Sequence, residues 1–155
     1  MRINKRNRIM IKLKILGTPQ SKQSARFRIA GKGPSQFVQS YQKKSVKDNE
    51  RNIAFDVKSQ IPLGFVPYND AVGVEVLFVF APLKSWSKKK IALLESGQQI
   101  YKETKPDLTD NLMKGLFDAM NGIVFTDDAR VCEVKSKKIY GFVPRTELIL
   151  VDLTK

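Results

Sequence analysis

From residue 71 to residue 81 the chain reads AVGVEVLFVFA, with Glu75 as its only charge and Pro82 closing it. A run this rich in Val and Phe predicts a strand buried inside a domain. Other segments supply its surroundings. Residues 9–16 set Ile9, Ile11, Leu13 and Ile15 against positions that include Lys12 and Lys14, the pattern of a strand with one wet face, and Gly17-Thr18-Pro19 ends it. Residues 131–140 and 146–152 also alternate and are expected to form an antiparallel pair joined around residues 141–144. Residues 20–39 carry Lys22, Arg26, Arg28 and Lys32 among Gly31, Gly33 and Pro34, and read as a basic loop leading into a short hairpin, residues 27–30 and 37–39.

Three stretches predict helices. Residues 40–61 have few breakers, place Val46, Ile53, Phe55, Val57 and Ile61 among charges, and stop at Pro62 and Gly64. A short helix capped by Ser85 or Ser87 runs to Leu94 and stops at Gly97. Residues 107–121 are the most strongly specified, with an apolar stripe of Leu108, Leu112, Leu116, Ala119 and Met120 closed by Asn121-Gly122. The expected fold class is α+β, a single domain with helices packed on a mixed sheet.

The length of 155 residues suits one domain. Residues 1–8, polar and basic, are expected to form a flexible arm, and residues 9–155 the domain. No apolar run approaches the roughly 18 residues of a membrane span, and residues 9–16 are too short and too interrupted for a signal peptide. A lone cysteine, Cys132, forms no internal disulfide, so a reducing compartment, the cytoplasm, is expected. Its place between Val131 and Val134 predicts a buried, inert thiol.

Charge narrows the partner. Lys and Arg number 28 against 15 acids, a net charge of +13. Residues 1–60 hold 15 basic and 3 acidic side chains, whereas residues 61–155 hold 13 and 12. Such an excess in one part attracts a polyanion, most simply a nucleic acid, with a solubilising or membrane-surface role as the blander alternative. Lys22, Arg26 and Arg28 are the expected phosphate contacts, since their loop is too charged and glycine-rich for a core. Phe27 and Trp86 are expected to pack as ordinary aromatics, and Lys88, Lys89 and Lys90 to lie on a solvated helix face. The chain has no histidine, which excludes Ser–His–Asp hydrolysis and His-ligated zinc. Any metal would be held by oxygen, as Mg2+ or Mn2+ is.

The oxygen donors concentrate in KPDLTDNLMKGLFDAMNGIVFTDDAR, residues 105–130. On a helix, Asp110, Lys114 and Asp118 share a face, and Asp107 lies one turn before Asp110. A turn at Asn121-Gly122 would allow Asp127 and Asp128 to return toward the helix start. Gathered carboxylates hold Mg2+, which activates water and neutralises charge at phosphorus. The same spacing has a structural reading. Asp107 and Asp110 suit a helix N-terminus, Asp110 and Lys114 an i, i+4 pair, and Asp127-Asp128 a turn. Spacing alone leaves both open.

The segment resembles the signature of the RusA family of Holliday junction resolvases, in outline Lys-Pro-Asp-x-Asp-Asn-Leu-x-x-Lys followed by Asp-Ala-Leu-Asn-Gly and an Asp-Asp pair. Gly17-Thr18-Pro19-Gln20-Ser21-Lys22 with Ala25-Arg26, and Lys84-Ser85-Trp86-Ser87-Lys88-Lys89, are weaker echoes, so the resemblance spans about residues 9–152. It implies a homodimer that binds four-way DNA junctions and nicks two strands symmetrically with Mg2+. It implies Asp110 and Asp128 as metal ligands, Lys114 as a catalytic lysine, and Asp127 as the first acid of the pair. One departure stands out. The first two acids of the signature are two apart, whereas Asp107 and Asp110 are three apart. Either one residue is inserted and Asp107 still reaches the metal, the reading favoured here, or Leu108 occupies the place of the first acid.

Overall fold

A computed structural model of the chain describes residues 10–22, 26–41 and 44–155, with Arg26 described by its backbone alone. The expected arm, residues 1–8, lies outside these. The domain is built on a four-stranded sheet of order β1-β6-β4-β5, where β1 is Met10–Leu16, β4 Val72–Phe80, β5 Val131–Tyr140 and β6 Arg145–Asp152. The apolar run thus becomes β4, flanked on both sides, antiparallel to β6 and parallel to β5. The sheet is mixed, as the α+β reading requires.

Alternation decides which face is dry. Ile11, Leu13 and Ile15 of β1 join Thr146, Leu148 and Leu150 of β6 and Val74, Val76 and Phe78 of β4 in the interior. Helix α1 (Lys44–Gln60) runs beside α3 (Lys114–Met120) and against β1. Val57 of α1 and Leu116 and Met120 of α3 complete one core cluster with the strands. Helix α2 (Lys88–Glu95) is capped as expected by Ser87, whose Oγ accepts from the Lys90 N–H at 3.2 Å. Trp86 packs edge-on to Tyr140 at 4.6 Å between ring centroids, the ordinary aromatic role expected of it. Lys88, Lys89 and Lys90 are exposed.

Three expectations need correction. The predicted pair of final strands is antiparallel in direction, but β4 lies between β5 and β6. The 141–144 connection therefore steps over one strand, which a central apolar strand competing for both neighbours explains. Ser40 and Tyr41 belong to the hairpin strand β3 (Phe37–Tyr41), paired with β2 (Arg26–Ala30), so α1 starts later than its lack of breakers suggested. Cys132 is exposed, because β5 is an edge strand of the sheet and its first half has little packed over either face.

Candidate metal and nucleic-acid site

The predicted helix over 107–121 is two structures in series. Leu108–Met113 forms a π turn and Lys114–Met120 the regular α3, with Asp107 as N-cap and Asn121 closing the end. Leu112, Leu116 and Met120, at most 3% exposed, anchor this unit in the core. Its outer side is thereby fixed, and Asp110 and Lys114 are exposed on it.

The π turn shows in its hydrogen bonding. The Leu112 N–H donates to the Asp107 carbonyl at 3.1 Å, five residues back, where an α turn would close on Asn111. The turn therefore houses one residue more than an α turn. Asp107 at its N-cap and Asp110 in its first turn both belong to it. Single π turns inside helices are rare and tend to occur at functional sites.

The structural roles available to these acids are only partly used. Asp107 has the extended backbone of an N-cap, yet its carboxylate accepts no capping hydrogen bond. Asp110 and Lys114 form no ion pair, and among the described residues the side chains of Asp107, Asp110, Lys114 and Asp128 have no hydrogen-bond or ion-pair partner. Asp127 differs. Its Oδ1 accepts the Ala129 N–H at 2.8 Å and caps the short 3-10 turn Asp128–Arg130 that leads into β5. The turn reading holds for Asp127. Asp107 takes the N-cap position and Asp110 the first turn, as the helix-terminus reading has it, but neither a capping hydrogen bond nor an ion pair to Lys114 forms.

The second half of the helix spends its charge internally. Asp118, expected to share a face with Asp110 and Lys114, receives the Lys22 ammonium at 2.5 Å, and Glu50 of α1 lies 3.1 Å from the same nitrogen. Burial draws the Lys22 pKa down, but the hydrogen bonds and charges of Asp118 and Glu50 outweigh it and raise the pKa above its ordinary 10.5. The Lys22 N–H also donates to the Asn111 carbonyl at 3.2 Å. Gly115 admits this approach, since a Cβ there would stand 3.1 Å from the Lys22 Cβ. Lys22, expected at a DNA phosphate, is thus one cation shared by two carboxylates.

Of the other basic residues, Arg26 lies on β2 and Arg28 is exposed on the same strand, donating twice to Gln39 Oε1 at 3.0 and 3.1 Å and lying 5.4 Å from the Tyr41 ring centroid. Its partners are neutral, so its charge remains available to a phosphate. Phe27 is 70% exposed on this hairpin and does not pack as an ordinary core aromatic.

The donor chemistry suits a hard cation, since every candidate ligand is a carboxylate oxygen. Among the described residues, however, no three acidic or thiol side chains converge as a ligand group. The four-acid cluster of Asp107, Asp110, Asp127 and Asp128 is not assembled. Mg2+ needs only about one or two carboxylates when water and phosphate oxygens fill its other positions. Asp107 and Asp110 lie three residues apart at the start of the helix, and neither carboxylate has a hydrogen-bond or ion-pair partner among the described residues.

Sequence reasoning missed one basic residue beside the site. Lys138 of β5 donates from Nζ to the Thr104 carbonyl at 2.6 Å and the Pro106 carbonyl at 2.7 Å. The signal was readable. In β5, Lys138 alternates in phase with the buried Tyr140, and a lysine on an inner face needs polar partners.

Comparison with known proteins adds two findings. Residues 17–150 match the family model described as Endodeoxyribonuclease RusA. A 68-residue stretch is 38% identical to the uncharacterized protein YqaN of Bacillus subtilis (strain 168), covering 44% of this chain and 46% of that protein. The match thus spans about half the length of that relative.

Proposed function

This chain belongs to the endodeoxyribonuclease RusA family, and on that premise we propose that it is a Mg2+-dependent, structure-selective endodeoxyribonuclease. Its substrate in this reading is the four-way DNA junction, resolved by paired symmetric nicks during recombination and repair in the cytoplasm. A homodimer suits a two-fold junction that needs two cuts. The single observation that carries the reading is the set of unpartnered carboxylates at the start of a core-anchored helix in a chain of net charge +13.

Asp107 and Asp110 would hold the ion, with Asp128 as the further candidate ligand. When present, Mg2+, or Mn2+ in its place, supplies an activated water and charge neutralisation at the phosphate. Lys114, one turn beyond Asp110, contacts the scissile phosphate. Asp127 serves chiefly by capping the turn that presents Asp128. Arg26 and Arg28 on the hairpin contact flanking phosphates, which position the duplex without reading its sequence. Lys22 supports them from within its triad by fixing the loop over the helix.

One observation favours a second reading, a DNA-binding module of the same fold without chemistry: no three acids converge among the described residues. Incubation with a labelled four-way junction, with Mg2+ and then with EDTA, separates the two. Metal-dependent symmetric nicks support the nuclease. Tight binding without cleavage in Mg2+ or Mn2+ supports the module, and equal cleavage of four-way, three-way and linear duplexes removes junction selectivity.

A further inference from the structure

The segment before Asp107 is held in an unusual way. Its first part runs along the outer edge of β5, with the Tyr140 N–H donating to the Ile100 carbonyl at 2.9 Å and the Lys102 N–H to the Lys138 carbonyl at 3.1 Å. Beyond Lys102 the backbone leaves that edge. There Lys138 takes over, with its two hydrogen bonds to the carbonyls of Thr104 and Pro106. Lys102 reinforces the same stretch, its Nζ donating to Thr104 Oγ1 at 2.8 Å.

We infer that Lys138 is a positioning residue for Asp107. Both of its acceptors lie within the three residues that precede Asp107, and the second belongs to the peptide group shared with Asp107. On the other side, the Asp107 carbonyl is held by the Leu112 N–H of the π turn. The backbone of Asp107 is therefore pinned on both flanks while its carboxylate has no partner among the described residues. A fixed backbone removes part of the freedom that would otherwise be lost when a cation binds, and leaves only the side chain's own rotamers to be ordered.

Core packing alone does not account for this lysine. Lys138 sits opposite Phe78 in the β4–β5 register, on the face where Tyr140 is buried. An apolar side chain would pack there without needing polar partners. The lysine instead uses charge-assisted hydrogen bonds, stronger than neutral ones, on the loop leading to the acid. Lys138 touches neither metal nor substrate in this account. It acts through the backbone before Asp107.

The inference rests on the metal reading above, and its test separates the two. Mn2+ affinity is measured by calorimetry for the wild type, Lys138→Met, Lys138→Arg and Asp107→Asn, with amide hydrogen exchange over residues 102–108. Lys138→Met is expected to weaken Mn2+ binding about tenfold, the size typical of a lost outer-shell partner. Lys138→Arg, which keeps donors and charge, should recover part of it. Exchange over residues 104–108 should quicken in Lys138→Met while the core strands keep their protection. If Asp107→Asn loses Mn2+ binding but Lys138→Met retains wild-type affinity, the positioning role is overturned and the metal site stands. If neither variant changes Mn2+ affinity, the metal reading itself fails, and the positioning role with it. Should Lys138→Met fail to fold, Lys138→Gln takes its place: weakened Mn2+ binding with quicker exchange over residues 104–108 supports the clamp, and wild-type affinity and exchange overturn it.

Discussion

The two halves of the site helix carry the same residue types and use them in opposite ways. In the first, Asp107 and Asp110 are exposed, and their side chains, like that of Lys114 where α3 begins, have no partner among the described residues. In the second, Asp118 is locked to Lys22, which also faces Glu50, and the three side chains are 15–28% exposed. The backbone differs too, a wide π turn in the first half and a regular α-helix in the second. Unspent charge on a pinned backbone suits a ligand that arrives from outside. Charge satisfied inside the fold ties elements together. An acid in this sequence is therefore assigned to chemistry or to structure by its partners, not by its spacing.

This contrast can be broken most forcefully at Asp110. Asp110→Asn should lower junction cleavage by about a thousandfold, since a metal ligand supports several kcal/mol of transition-state stabilisation. Its melting temperature should stay at the wild-type value, because an exposed, unpartnered side chain is removed. Lys114→Met should reduce the cleavage rate by about a hundredfold, with junction affinity nearly unchanged in a gel-shift titration. Neither change should be rescued by added salt.

On the structural half the effects are smaller and of a different kind. Lys22→Met should cost about 1–2 kcal/mol in urea unfolding, the scale of a lost charge-assisted hydrogen bond. It leaves two carboxylates facing each other. The pH dependence follows from the raised Lys22 pKa. Its contribution is complete below the unfolded value of about 10.5 and is lost as pH climbs through the higher folded value. The stability gap between wild type and Lys22→Met should therefore narrow only at strongly alkaline pH. The smallest effect is expected at the hairpin. Arg28→Ala should weaken junction binding a few-fold and lower the slope of log affinity against log salt by roughly one, the mark of one lost phosphate contact.

Much of this was legible in the sequence for particular reasons. The alternations of β1 and β6 read correctly because burial on one face leaves a period-two pattern, and the β4 run because burial on both faces leaves a continuous apolar stretch. The apolar stripe of Leu112, Leu116 and Met120 located the site helix because its inner face is fully buried. Neighbour relations were less accessible. Nothing in the 131–152 alternation records that β4 comes between β5 and β6, since strand order is decided by competition among strands.

The site showed the same division. Asp107 and Asp110 could be nominated, but the turn to which both belong depends on one hydrogen bond, Leu112 to Asp107. Lys22 read as a DNA contact because its nearby sequence is basic. Its real partners, Glu50 and Asp118, are remote in sequence and meet it only in the folded chain. Exposure of Cys132 was missed because a valine-flanked thiol looks alike in a central and an edge strand.

The most direct test sets Asp107→Asn beside Asp118→Asn on one labelled four-way junction, with cleavage in Mg2+, junction affinity and melting temperature measured for both. The account predicts that Asp107→Asn binds and melts like the wild type but does not cut. Asp118→Asn should cut at a near wild-type rate below its lowered melting temperature. A variant at Asp107 that cuts normally, with cleavage lost instead at a well-folded Asp118→Asn, would contradict the assignment of chemistry to the first turn.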